Sequence, residues 1–356
     1  MTCPIYRLLA LGPARTRREI ADLCGLSRAT TAERLHRLQQ AGLVHEGAQA
    51  APEGGRPAGL WQINATHRSL LALDLTEGRA RIGRYDLDLT LRERRDLPLP
   101  PGADAATLLD LLCPAIAALC QDAPPVAGVA LARDEAAQEA LPGLLRARLG
   151  LPVTSDRAVA LMALAEHRQH WPDRQHLVFV AAGSGLGCAI LSDGRLLRGA
   201  GDAAGGIAHL RHGAAPHPPC PCGRSGCLEA RASGWAMARD LRAAGVACAD
   251  TPALLALCNS GDAQALRRVA QGARLLGTAC ADLVAALNPQ TLVIGGALAG
   301  LGEVLLRELR AAIYHRCPPQ LTAGLDIRTA RGTDLALTGA AHLARDAWLT
   351  PDSTKA

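Results

Sequence analysis

The sequence predicts an α/β body preceded by a winged helix-turn-helix head, and three observations support this. The first sixty residues read as three short helices and a hairpin. From Ser69 onward, apolar runs of strand length alternate with longer helical stretches, the pattern of a layered α/β domain. Between the strand-rich and helix-rich parts of the second half lies a cysteine cluster with metal-ligand spacing.

The chain has 356 residues, enough for a small domain and a larger two-lobed one. Its net charge of +5 comes almost wholly from arginine, since Lys355 is the only lysine. With Ala, Leu and Arg abundant and Phe and Tyr scarce, the charge reflects compositional bias and does not by itself imply nucleic-acid binding. No window resembles a signal peptide and no apolar run is long enough to cross a bilayer. The expectation is a soluble cytoplasmic protein with no membrane partner.

In the head, a helix from Pro4 to Leu11 ends at Gly12-Pro13. A second opens with Thr16-Arg-Arg-Glu19, a capping box whose hydroxyl and carboxylate satisfy free backbone N–H groups, and stops at Gly25. The third opens after the N-cap residue Ser27 and runs to about Ala41, with Thr31, Leu35 and Leu38 on one face. A glycine turn between two short helices lets the second project into a major groove. Ser27, Arg28 and Thr30 sit at its N-terminus, with Arg34 and Arg37 further along. The hydroxyls suit phosphate oxygens, Arg28 suits a guanine, and Glu33 either accepts from a cytosine amine or is simply solvated. Leu43-Val44 and Leu60 to Ile63 are short strands flanking a Gly/Pro/Ala-rich tip. There Arg56 either enters a minor groove or belongs to a flexible linker.

In the body, Leu70 to Asp74 is a buried strand followed by a hairpin meander over 79–97. Helix 104–121, strand 126–132, helix 135–149, a strand from Val153 and helix 157–169 come next. The second lobe begins near His176 with the strand Leu177 to Ala181. Most of the 12 cysteines, including Cys24, Cys113, Cys120, Cys188 and Cys280, sit singly in apolar helical stretches as small hydrophobes. Cys220, Cys222 and Cys227 differ. With His209 upstream they supply three thiolates and an imidazole, the donor set of a closed structural zinc site, and Gly223 and Gly226 permit the tight turns. His212 and His217 are alternative fourth ligands.

This signature, Gly205…His209…Cys220-x-Cys-Gly-x-x-Gly-Cys-x-Glu229, resembles that of the ROK family, which unites sugar-responsive repressors with sugar kinases. The Gly54-Gly-Arg-Pro57 wing, the Gly183-Ser-Gly-Leu-Gly187 turn, the Asn288 to Gly296 segment and Thr338-Gly-Ala-Ala341 extend the resemblance over essentially the whole chain. It implies a two-lobed actin-like ATPase (ASKHA) fold, zinc near the sugar site, and a dimer or higher oligomer. The expected division is a DNA-binding domain over 1–65 and a kinase-like domain over 66–356. Its first lobe covers about 66–175 plus the C-terminal helix, and its second lobe about 176–338.

Set against the family's kinases, the nucleotide positions Asp74, Gly183, Ser184, Gly185, Gly295 and Gly296 are retained as vestiges, but Thr76 and Glu77 stand in the first phosphate turn. The sugar side departs further. The family's Asn-Asp pair, whose aspartate is the general base, becomes Arg157-Ala158, and the family's Glu-x-Gly-His becomes Gly206-Ile-Ala-His209. Much of the Pro-Gly loop region between Ala130 and Leu151 is also missing. Loss of a general base typically costs about 10²–10⁴ in rate, so the expectation is a body that is not an enzyme. Glu229 and His209 remain as ligand contacts, and Arg157 either favours an anionic effector such as a sugar phosphate or acid, or is a surface arginine. Three readings follow: a regulator, by expectation a repressor on an inverted-repeat operator in duplex DNA; a zinc-stabilised DNA-binding scaffold with no effector; and an active sugar kinase.

Overall fold

The computed structural model describes residues 4–49, 59–76, 78–100, 102–133, 139–212 and 217–350. The wing tip carrying Arg56, and Glu77, lie outside these residues. Contacts divide the chain into two compact units, residues 1–158 with 336–356, and residues 159–335.

The first unit opens with the head. Helix α1 (Pro4–Leu11) leads to a two-residue strand β1 (Arg15–Thr16), then α2 (Arg17–Cys24), α3 (Arg28–Gln40), β2 (Val44–Gln49) and β3 (Gly59–Ile63). The capping box at Thr16 forms as its sequence dictates: Glu19 N–H donates to the Thr16 hydroxyl, and the Glu19 carboxylate accepts from Thr16 N–H at 2.7 Å. Gly25 ends α2 at φ +63°, a backbone conformation that a side chain would strain, and so turns the chain into α3. Ile5, Ile20 and Leu35 are wholly buried and hold the three helices together. Strand β1, unforeseen from the sequence, pairs with β3, giving a sheet of order β1-β3-β2. Arg17 reinforces that edge by lying 5.1 Å over the buried Trp61 ring.

Beyond the head, β4 (Ser69–Thr76), β5 (Arg79–Asp86) and β6 (Leu91–Pro98) form an antiparallel meander. Helix α4 (Ala105–Cys120) then leads to β7 (Val126–Arg133), and α5 (Leu141–Leu149) to β8 (Val153–Arg157). The sheet order is β6-β5-β4-β7-β8, with β4, β7 and β8 parallel. Leu71, Leu73, Val129, Leu131 and Val153 pack against Leu108, Leu112 and Leu145 of α4 and α5. Of the helix expected over 135–149, residues 135–138 lie outside the described residues, and the described helix begins at Leu141. The reason is Pro142, which lacks an N–H and fits the first turn of a helix rather than its interior.

The second unit contains most of α6 (Ala158–His170), then β9 (Leu177–Ala182), β10 (Leu186–Ser192) and the short β11 (Arg195–Leu196). Helices α7 (Glu229–Ala232), α8 (Gly234–Ala243), α9 (Thr251–Asn259) and the 25-residue α10 (Ala263–Leu287) follow. Strand β12 (Thr291–Gly295), α11 (Glu303–Arg316), α12 (Pro319–Thr322) and β13 (Asp326–Thr329) complete it, and α13 (Leu335–Leu349) returns the chain to the first unit. Its sheet runs β11-β10-β9-β12-β13, the same succession of three antiparallel and then parallel strands as in the first unit. Cys188, read from the sequence as lying in a helical stretch, is in β10: its apolar neighbours fit either element, and sheet pairing decides. Helix α13 ends in the first unit, where Trp348 meets Tyr6 of α1 edge-to-face at 5.6 Å. Among the described residues no helix is long and apolar enough to cross a membrane.

Replacing Thr16 by Ala removes the reciprocal cap and is expected to cost the head about 1 kcal/mol, whereas Thr16→Ser retains most of it. A lower denaturant midpoint with unchanged slope for Thr16→Ala, and little shift for Thr16→Ser, is the expected result.

Candidate DNA-binding face and metal centre

Helix α3 carries the polar residues of the head. Thr31 and Leu35 are buried, whereas Arg28, Glu33 and Arg37 are exposed and Arg34 is half-buried. Ser27 and Thr30 are occupied in starting the helix: Thr30 N–H donates to the Ser27 hydroxyl at 3.1 Å, and the two hydroxyls lie 2.8 Å apart. Arg37 is tied to Glu33 one turn back at 2.5 Å. Arg28 and Arg34 have no ion-pair partner among the described residues. His36 and Gln40, not foreseen from the sequence, share the exposed face and lie in contact at 3.0 Å; the i, i+4 series Arg28, Ala32, His36, Gln40 is the signal that places them there.

The four residues of the cysteine signature converge. One ligand atom from each of His209, Cys220, Cys222 and Cys227 lies within 4.8 Å of all the others. The Cys220 sulfur is 3.7 Å from His209 Nδ1, and the Cys222 and Cys227 sulfurs are 3.7 Å apart. Edges of that length match a tetrahedron with metal–sulfur bonds of about 2.3 Å, so the donor set fits a single thiophilic cation. Burial pushes the Cys227 thiol up to about 11 and raises Cys220, while a backbone N–H from Arg224 lowers the exposed Cys222. The segment is shaped by local backbone bonds: Gly223 N–H to Cys220 O at 3.0 Å, Cys220 N–H to Arg224 O at 2.8 Å, and Leu228 N–H to Leu210 O at 2.9 Å.

Two residues beyond the cluster, Glu229 turns inward. Its carboxylate accepts from Leu186 N–H at 2.8 Å and from Trp235 Nε1 at 2.7 Å, and burial raises its pKa. The glycine turn before Leu186 is held from the other side. Gly183 O accepts from Gly234 N–H, Ser184 O from Trp235 N–H, and the Ser184 hydroxyl reaches Thr251 at 3.1 Å. Trp235 thus links turn and carboxylate, a role no sequence pattern announced. Gly185 lies against Glu229: a Cβ there would sit 3.3 Å from the carboxylate.

The other retained nucleotide positions have structural tasks. Gly296 has φ +81°, and a Cβ there would stand 2.5 Å from Ala182 O; at Gly295 a Cβ would meet the Phe179 ring. Asp74 is fully buried and binds Arg81 of the neighbouring strand at 2.7 Å. Ala158 is buried at the start of α6, directly after the half-buried Arg157. Glu166, used in the sequence only to fix register, is buried and accepts from Trp171 Nε1 and from Arg331 and Gly332 N–H.

Comparison with known proteins bears on both parts. The ROK family profile matches residues 129–347, and a winged helix-turn-helix DNA-binding profile matches residues 5–45. An N-acetylmannosamine kinase of Citrobacter koseri is 34% identical over 68% of this chain and 87% of its own length. The enzyme of that name from Salmonella paratyphi B is 34% identical over 77% of this chain and 98% of its own. A ROK family transcriptional regulator, described as a homologue of the E. coli MLC protein, superposes with a TM-score of 0.80 at 24% identity, covering 97% of this chain and 95% of that one. A ROK hexokinase from Thermus thermophilus gives 0.61 at 28% identity, covering 78% and 98%. The kinase relatives overturn the expectation, drawn from Ala158 together with Gly206, Thr76 and the shortened 130–151 region, that the body is not an enzyme: identity of this order to kinases spans most of the chain.

Full-length protein is expected to carry about one equivalent of thiophilic metal per chain. Cys227→Ala should lose most of it and lower the melting temperature, as read by elemental analysis and calorimetry. An unchanged metal content in that variant would remove the cluster as a metal centre.

Proposed function

The chain belongs to the ROK family, and on that premise we propose that it is a DNA-binding transcriptional regulator, a repressor of carbohydrate-related genes acting as a homodimer on an inverted-repeat operator. The observation that carries this reading is the winged helix-turn-helix profile at residues 5–45, preceding a ROK body in one chain. In this reading residues 1–65 form the DNA-binding head and residues 66–356 the sensing body. Arg28 and Arg34 of α3 reach base edges and phosphates, and Arg37, held by Glu33, reaches the backbone. Ser27 and Thr30 serve chiefly as the helix cap, whose N-terminus favours a phosphate. Zinc is the cation proposed for His209, Cys220, Cys222 and Cys227, because three thiolates and one imidazole form a closed tetrahedral set.

The effector proposed for the body is a sugar of the N-acetylmannosamine class, taken from the relatives' activity. Glu229 and His209 remain its candidate contacts, and binding favours one arrangement of the two heads of a dimer.

A second reading is favoured by the 34% identity to N-acetylmannosamine kinases: the body also transfers phosphate from ATP to such a sugar. A coupled ATP assay with N-acetylmannosamine separates the two readings. Turnover that Glu229→Gln abolishes supports the kinase; its absence, with operator binding intact, leaves the regulator.

For the regulator, selection of bound sequences from random duplex DNA is expected to return a two-fold symmetric site with half-sites about one helical turn apart. Arg28→Ala should weaken binding to that site by about 1–3 kcal/mol and relax the preference at one base pair. Recovery of no enriched sequence by the full-length protein sinks the proposal.

A further inference from the structure

The first unit holds a cavity of about 440 Å³ to which neither the cysteine cluster nor the glycine turn contributes. Head and body both line it. The end of α1 closes one side, His45 and Gln62 come from β2 and β3, and Asp88 enters from the turn between β5 and β6. Asn64 and Thr66 line it where the chain passes from head to body, and Arg345 reaches it from α13. Every wall belongs to the first unit and to the described residues. The size falls within the range of about 300–1,000 Å³ typical of small-molecule sites.

The polar atoms around the cavity are mostly acceptors held in place by their neighbours. Asn64 Nδ2 donates to Gly42 O at 2.9 Å, and the Thr66 hydroxyl donates to Asn64 Oδ1 at 3.0 Å, which leaves the hydroxyl's lone pairs for an incoming donor. The Gln62 amide nitrogen lies 2.8 Å from His45 Nε2 and donates to it, so the amide oxygen meets no donor among the described residues. One Asp88 carboxylate oxygen accepts from Thr90 N–H at 2.9 Å, and no hydrogen bond engages the other among the described residues. The carbonyls of Ala10 and Leu11 end α1 just before Pro13, which has no N–H to give, and they too accept no hydrogen bond among the described residues. Such a lining calls for a ligand that donates several hydrogen bonds at once.

Charge narrows the class. Asp88 and Arg345 set one carboxylate and one guanidinium on the same cavity, so its walls favour neither a lone anion nor a lone cation. Leu9, Leu11 and Ile63 add apolar wall, which the C–H face of a saturated ring covers. We propose that this seam is a second ligand site, for a neutral polyhydroxylated molecule of monosaccharide size, with Gln62, Thr66 and Asp88 as its hydrogen-bond acceptors. It is separate from the Glu229 and His209 contacts and does not rest on them. Bridging α1 and β3 to the β5–β6 turn, the bound molecule restrains the head against the body within the first unit.

The test is calorimetry on the full-length protein, with myo-inositol, glucose and N-acetylmannosamine as neutral probes and glucosamine and glucose 6-phosphate as charged ones. In the Glu229→Gln protein, which lacks the other candidate contact, at least one neutral probe is expected to bind at one site per chain. Adding Asp88→Asn should weaken that binding about tenfold, and adding Gln62→Leu about three- to tenfold. Both residues are exposed, and unchanged melting temperatures show that the variants fold. Neutral binding abolished by Glu229→Gln alone, or untouched by both seam substitutions, overturns this site and leaves the sugar-effector reading standing. A tenfold preference at the seam for either charged probe over the neutral ones overturns it as well, as does binding of none of the five. Operator selection, measured separately, judges the regulator independently.

Discussion

Three thiols and an imidazole held within 4.8 Å of one another set the geometry of the segment from His209 to Trp235 in the second unit. Nothing in the chain's own chemistry favours that crowding. Thiolates repel one another and thiols make weak hydrogen bonds, so a shared thiophilic cation is what would give such a cluster its cohesion. The consequences run outward through short links. Cys227 fixes the start of α7; Glu229, two residues on, reaches back to Leu186 N–H; and Trp235 holds both the carboxylate and the backbone of the glycine turn. The turn that resembles a phosphate loop and the carboxylate that resembles a sugar contact are thus parts of one bonded assembly anchored on the cysteines.

Electrostatics is distributed in a similarly local way. Nearly every cation is an arginine, and many are already engaged: Arg37 with Glu33, Arg81 with Asp74, Arg268 with Asp240, Arg310 with Glu303. Net charge therefore says little about function. What distinguishes α3 is that, among the described residues, Arg28 and Arg34 of this short capped helix meet no carboxylate that neutralises them.

The parts legible in the sequence were those governed by neighbours a few residues apart. Thr16 with Glu19, the N-cap Ser27, the stop at Gly25 and the convergence of the cysteine signature are short-range chemistry, and each recurs in the structure. Features fixed by register were not legible. The Asp74–Arg81 pair exists because particular strands align, and no pattern along a single strand encodes that. The shared strand order of the two sheets was equally hidden, since it repeats topology and not residues. Ala158 taught a different lesson: a missing general base was visible, but the meaning of its absence depended on relatives that the residue itself could not reveal.

The edge-to-face contact between Tyr6 and Trp348 joins the first helix of the polypeptide to the last. During synthesis the amino-terminal segment emerges hundreds of residues before the ring that packs on it, and in the folded chain Tyr6 is only 4% exposed. A chain broken off before Trp348 leaves that aromatic face without its partner ring, so the seating of α1 depends on a residue made long after it.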